Sequence, residues 1–230
     1  MIRKGLLLSI IPLGLMAVLG GWAFNTVTPD ARFPVHFGVD GQPDRWGGPG
    51  ETFFALVGVA VLVTALFAIL PLLDPRGNNL RRSSHFYLTA WAASLWFMAL
   101  VHGAMTLSAL GYVDLGPDMI IRVSAFGVSL LMLVIGNVMG KSRPNWFAGV
   151  RTPWTLSSDI TWEKTNRLGG RLFVVVGLVG AVAAWLLPAA LVLPGVVGGI
   201  VAASVAAVIY SWLVWRTAPD RRTGPQAVDS

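Results

Sequence analysis

The chain has 230 residues, of which 55% are hydrophobic and 12% charged, with a mean hydropathy of +0.68, a formal net charge of +6 and no cysteine. A soluble domain carries about a quarter of its residues as charges, so this composition excludes a water-soluble globule and defines an integral membrane protein. Without cysteine there is no disulfide framework, thiolate nucleophile or thiolate metal site, and with the Lys and Arg residues in short loops beside apolar runs there is no basic arm for direct nucleic-acid binding.

Gly5 to Phe24 is the first apolar run, the ~20 residues that a bilayer core requires. It exceeds a signal-peptide core and lacks an A-x-A-like cleavage site, so it reads as an uncleaved spanning helix. Residues 25–51 form a Gly- and Pro-rich outer loop. Within it, Phe33 to Phe37 followed by Asp40 and Gly41, a favoured tight-turn pair, predicts a small hairpin on the membrane surface. His36 lies near Asp40 and Asp44, but one imidazole with loop carboxylates reads as a hydrogen-bonded loop histidine and not as a metal ligand.

Phe53 to Leu73 is the second span, ended by Pro71, Asp74 and Pro75, and Arg76, Arg81 and Arg82 make the basic loop after it. The third span, Phe86 to Leu110, contains His102, and the fourth, Met119 to Met139, contains Arg122 and Asn137. A second polar stretch runs from Gly140 to Arg171, with six basic residues against Asp159 and Glu163, interleaved with Trp146, Phe147, Trp154 and Trp162. Leu172 to Trp215 would be ~66 Å long as one helix, so Pro188 and Pro194 are expected to divide it into the fifth and sixth spans.

The expected fold is therefore all-α: a polytopic membrane protein of six transmembrane helices, with a small extracytoplasmic loop domain and a cytoplasmic amphipathic loop or helix. The expected units are 1–75, 86–215 and a tail at 216–230. Placing both termini, the basic loop and the 140–171 stretch on one side collects 14 of the 17 Lys and Arg residues, leaving Arg32, Arg45 and Arg122. By the positive-inside rule that side is the cytoplasm. Gly136 and Gly140, and Gly195 and Gly199, are expected to permit close helix packing within the chain.

Polar residues inside apolar spans mark pairs or cavities. Asp118 and Arg122, four apart on one helix face, can pair, and His102 can meet Arg122 across the third and fourth spans to line an outward polar pocket below the His36 loop. His36, Asp40, Asp44, Arg45, His102, Asp118 and Arg122 are thus the outer ligand-binding candidates. No nucleophile elbow, metalloprotease helix or phosphate loop is present, so neither an enzyme nor a cofactor is expected.

In TLSSDITWEKTNRLGG, Thr155, Ser157 or Ser158 can cap a short helix, Glu163 and Arg167 can pair, and Gly169 and Gly170 can stop it. One reading is an amphipathic anchor at the inner interface, held by anionic lipid. Another is a docking surface for a cytosolic protein, with Arg151, Trp154, Trp162, Lys164 and Arg167 as anchors.

The run GNVMGKSRPNWFAGVRTPWTLSSDITWEKTNRLGG closely resembles the signature of the SdpI family of bacterial membrane proteins, and P-V-H-F followed by D-G-Q-P-D-R-W resembles the domain that often precedes it. Asn166 stands where the family pattern favours His. The resemblance implies immunity to a secreted peptide toxin in the bacterial cytoplasmic membrane, and signalling by recruitment of a cytosolic helix-turn-helix repressor. Carried onto this sequence, the docking residues are Asn145, Arg151, Thr152, Pro153, Trp154, Thr155, Trp162, Lys164, Thr165, Asn166 and Arg167. A small-solute transporter is the alternative, motivated by His102, Asp118, Arg122 and Asn137 within the spans.

Overall fold

The computed structural model describes residues 1–38, 42–73 and 82–221. In chain order it contains α1 (Ile2–Thr26), β1 (Phe33–Phe37), β2 (Pro43–Gly47), α2 (Pro49–Leu73), α3 (Ser84–Ala109), α4 (Pro117–Met139), the single turn α5 (Pro153–Leu156), α6 (Asp159–Leu186) and α7 (Ala189–Thr217). Among the described residues, six of the seven helices, all but α5, are long and apolar enough to cross a membrane. The protein is therefore a multi-pass, mostly helical membrane protein.

Local chemistry sets the helix ends. Pro117 opens α4 where its missing N–H is no loss, and Asp118 adds a carboxylate to the first turn. Ser158 caps α6 by accepting the Thr161 N–H at 3.0 Å. Of the two prolines expected to divide the last apolar run, only Pro188 does so. It forces Leu187 into an extended conformation, with ψ 160°, and α6 ends there. Pro194 sits inside α7, as Pro12 and Pro71 sit inside α1 and α2, so Pro71 does not end the second span.

Gly169 and Gly170 do not stop a short helix either; they lie within α6, which carries the end of the second polar stretch, from Asp159, and the fifth span as one rod. Their role is packing. A Cβ on Gly170 would stand 2.6 Å from the Gly136 carbonyl of α4, and one on Gly136 would stand 2.6 Å from the Gly170 carbonyl. Gly177 lies as close to the Ser129 carbonyl, at 2.6 Å. Small residues let two backbones approach where lipid supplies no hydrophobic drive, and α4 against α6 is the most extensive helix contact. Gly140 and Gly199 are also close to neighbours, against Arg167 and Val176, while Gly195 faces open space.

Helices α1, α2 and α3 pack on one another, as do α4, α6 and α7, and α3 against α4 joins the two groups. The first core is built on Met16, Ala60, Tyr87, Trp91 and Leu95, the second on Ala125, Ala184, Val192 and Val196. α3 thus shares one core with α1 and α2 and another, through Phe86, with Val138 and Met139 of α4. Leu7, Ile10, Ile11 and Val18 of α1 and Val175, Val179 and Val182 of α6 point outward, as a lipid-facing surface requires.

β1 and β2 pair antiparallel, with Phe33 opposite Gly47 and His36 opposite Arg45, and the register shifts on both sides of His36. Both strands are edges, which is where Pro34 and Pro43 are tolerated. The hairpin is tied to α2 by the Phe33 ring, 5.4 Å from that of Phe53, and by an Arg45–Glu51 ion pair. The expected Asp40-Gly41 turn, Arg76, Arg81 and most of the 216–230 tail lie outside the described residues.

Candidate functional site

At the end of the bundle where α4 stops and α6 begins, residues 140–158 fold into a polar plug. Asn145 is completely buried and uses both amide hydrogens and both oxygen lone pairs. Its Nδ2 donates to the Arg143 and Ala148 carbonyls at 2.8 and 3.1 Å, and its Oδ1 accepts the Phe147 and Ala148 N–H groups at 2.9 and 2.7 Å. Thr152 is extended because Pro153 follows it, and it exchanges hydrogen bonds with Thr155 in a capping box around α5. The Thr152 hydroxyl also meets that of Ser211 on α7 at 3.1 Å.

From α6, Trp162 donates its indole N–H to the Ser142 carbonyl at 3.0 Å, and Asn166 accepts the Val150 N–H at 2.8 Å. Two further ties reach outward. Arg143 donates its N–H to the Ser83 hydroxyl at 2.7 Å, at the start of α3. Asp220, beyond α7, accepts the Ser158 hydroxyl at 2.6 Å and the Ile160 N–H at 3.1 Å. Partial burial raises the Asp220 pKa, but hydrogen bonds from Ser158, Ile160 and other backbone amides outweigh it and hold the carboxyl below its ordinary value. Arg167 pairs with Glu163, as the spacing predicts.

This arrangement corrects part of the sequence reading. Asn145, Thr152, Thr155, Trp162, Thr165 and Asn166 are buried, so none of them can be touched by a docking partner in this conformation. Trp162 is not an interfacial anchor but a core side chain. Of the expected docking residues, Arg151, Pro153, Lys164 and Arg167 are exposed and Trp154 is partly so. The sequence reads the stretch as an amphipathic anchor or a docking surface because its polar residues carry no mark of the backbone groups they bond. Asn and Thr instead satisfy neighbouring backbone groups and let a non-helical segment be buried.

The opposite end carries the hairpin. His36 Nδ1 lies 2.6 Å from Asp44 Oδ1, with both side chains more than half exposed, and Arg45 is committed to Glu51. Asp40 lies outside the described residues. Beneath the hairpin is a cavity of about 610 Å³. Its roof is Arg32 to Phe37 with Trp46. Its walls are Val101, Ala104, Met105, Ser108 and Ala109 of α3, Leu115, and Ile120, Val123 and Ser124 of α4.

A cavity below the His36 loop was expected, but not with this lining. His102 is on a different face of α3, where its Nε2 donates to the Phe53 carbonyl at 2.9 Å in a buried junction with Gly20 of α1. A carbonyl only accepts, so Nε2 carries the hydrogen. Arg122 donates to the Ala184 carbonyl of α6 at 2.6 Å, and among the described residues no ion pair joins it to Asp118, which is exposed. His102, Asp118 and Arg122 therefore form no common pocket, and with Asn137 exposed the constellation behind a transporter is not assembled. The α3 wall, at 101, 104, 105 and 108, has helical spacing, which from sequence alone is the same signal as a lipid-facing stripe.

Fold and site together define a six-helix membrane protein with a hydrogen-bonded polar plug closing one end of the bundle and a β-hairpin roofing a cavity at the other. Residues 141–214, which span the plug, α5, α6 and most of α7, match the SdpI/YfhL protein family. Over 76 residues it is 37% identical to the immunity protein SdpI of Bacillus subtilis (strain 168), covering 33% of this chain and 35% of that protein. The match thus spans about a third of the length of that curated relative. No solved structure matches the chain.

Proposed function

We propose that this is a membrane immunity protein, which protects its cell from a secreted toxic peptide. The observation that carries the reading is the 37% identity over 76 residues to the immunity protein SdpI, beside the family match at residues 141–214 that covers the plug and the helices seated on it. In this reading the plug faces the cytoplasm and the hairpin faces outward, because the loops and termini that the sequence assigns to the plug side carry 14 of the 17 Lys and Arg residues. Recruitment of a cytosolic repressor is the finer part of the proposal, and its accessible anchors are Arg151, Trp154, Lys164 and Arg167. Expression in a sensitive bacterium, with survival measured across a panel of secreted peptide toxins, tests the proposal. Protection against at least one toxin is expected, and equal killing with and without the protein by every member would overturn it.

A further inference from the structure

The cavity beneath the hairpin has a chemistry that the immunity reading does not use. Most of its lining is apolar, the α3 and α4 walls offer only the hydroxyls of Ser108 and Ser124 as side-chain hydrogen-bonding groups, and its roof begins with Arg32, which is exposed and has no ion-pair partner among the described residues. The other basic group of the roof, His36, is already engaged with Asp44. The last two turns of α3 and the first turns of α4 form the walls, so the cavity lies at the hairpin end of these two candidate spans. At about 610 Å³ it is within the ~300–1,000 Å³ of small-ligand sites. It holds about twenty groups of the ~30 Å³ that a water occupies in the liquid, which is close to the size of a methylene.

We propose that this cavity binds a single-chain anionic amphiphile, an alkyl chain lying between α3 and α4 with its carboxylate or phosphate on the Arg32 guanidinium. Three observations decide the class. The apolar walls remove an alkyl chain from water with no unmet polar group. A peptide segment would bring several backbone N–H and C=O groups into a chamber whose helical walls supply two hydroxyls, and unpaired polar groups in an apolar site are costly. The lone guanidinium at the roof matches the planar, bidentate geometry of a carboxylate or phosphate and repels an ammonium. The volume suits one alkyl chain.

The test uses the full chain in phosphatidylcholine nanodiscs with a photoreactive palmitate, the labelled positions being mapped by mass spectrometry. Labelling is expected to concentrate between residues 101 and 124 and to be competed by palmitate and by hexadecyl phosphate. Competition by only one of the two still supports the proposal and identifies the head group. Ala104→Trp and Ser124→Leu, which fill the cavity from opposite walls, are each expected to lower labelling by about tenfold. Arg32→Gln is expected to abolish the preference for palmitate over hexadecanol. Labelling spread evenly along the lipid-facing helices and unchanged in both filled variants would overturn the site. Equal competition by hexadecylamine would overturn the charge assignment, and equal competition by an uncharged apolar peptide would overturn the ligand class. Both filled variants are run through size exclusion, so a loss seen in either monodisperse variant is read as loss of the site.

Discussion

Asn166 on α6 holds Val150 in the plug. Its Oδ1 accepts the Val150 N–H at 2.8 Å while its Nδ2 donates back to the Trp162 carbonyl at 3.1 Å. Gly149 passes over the same oxygen with φ +110°, and a Cβ there would stand 2.5 Å from it. One buried amide and one residue without a side chain therefore define how the chain leaves the asparagine-centred turn and enters α5.

Asn166→Ala removes the acceptor and leaves a partly buried N–H without a partner, a change of ~1–3 kcal/mol. Gly149→Ala adds backbone strain of roughly 1–3 kcal/mol in the left-handed region to a contact that has no room. Both are expected to lower the midpoint of thermal unfolding of the purified protein, Gly149→Ala the more. Midpoints equal to that of the parent would show that the plug does not contribute to stability.

The glycine seam makes a separate prediction. Gly136→Val or Gly170→Val places a branched side chain where the opposing carbonyl lies 2.6 Å from the first added carbon, so α4 and α6 must separate. Overpacking of this kind costs ~1–3 kcal/mol and sometimes more. Gly195→Val, which faces open space on α7, is the matched control. Membrane-extracted yield and unfolding midpoint should fall for the first two variants and not for the third.

The spans were legible in the sequence because lipid imposes a length and a composition that no loop shares: six apolar runs became six helices. Phe33 to Phe37 was likewise readable, from its flanking turn residues. Three features were not. Gly169 and Gly170 carry the same letters in a helix stop as in a helix seam, and only the position of α4 decides between them. Asn145 and Asn166 look solvated until their partners are known. His102 and Arg122 were paired on the basis of depth alone, whereas their rotation about α3 and α4 aims them at Phe53 and Ala184.

Asp220 closes the far end of the plug region by accepting from Ser158 and Ile160 at the start of α6. Its pKa is lowered in the folded protein, so the clasp contributes fully above the ordinary Asp value of ~3.9. That contribution is lost as pH falls through the lower folded value. Asp220→Ala is expected to destabilise by about 0.5–1 kcal/mol, a low capping value because the carboxylate is largely solvent-facing. It should also reduce the dependence of the unfolding midpoint on pH below about 4. An identical acid profile in the variant would remove Asp220 from the account.

The cysteine-free sequence makes the proposed orientation directly measurable, because a single introduced thiol has no background. Asp30 precedes the hairpin and Lys164 follows the plug, and both are exposed. A membrane-impermeant maleimide added to intact cells is expected to label Asp30→Cys, and to label Lys164→Cys only after permeabilisation. The reverse pattern would invert the topology and with it the side on which a toxin could be met.

The last prediction separates docking from folding in the plug. Because Trp162 and Asn166 are buried, substitutions there destabilise the plug, and a loss of partner binding in them would not distinguish docking from folding. Trp154 and Arg151 differ. Trp154 is only partly covered, and Arg151 is exposed with one hydrogen bond, to the Trp146 carbonyl. In the proposed signalling role, Trp154→Ala and Arg151→Ala should abolish co-purification of a cytosolic partner while the unfolding midpoint stays near that of the parent. A signal from the hairpin end must reach them through a packing that a ligand binds preferentially, since a ligand without differential affinity shifts nothing. The connection available is α4 against α6, pinned near the hairpin end by Arg122 on the Ala184 carbonyl and near the plug by Gly136 against Gly170. Arg122→Ala should therefore weaken the response to an external ligand and leave basal recruitment intact. Normal recruitment by both plug variants would reduce the exposed surface to a lipid contact.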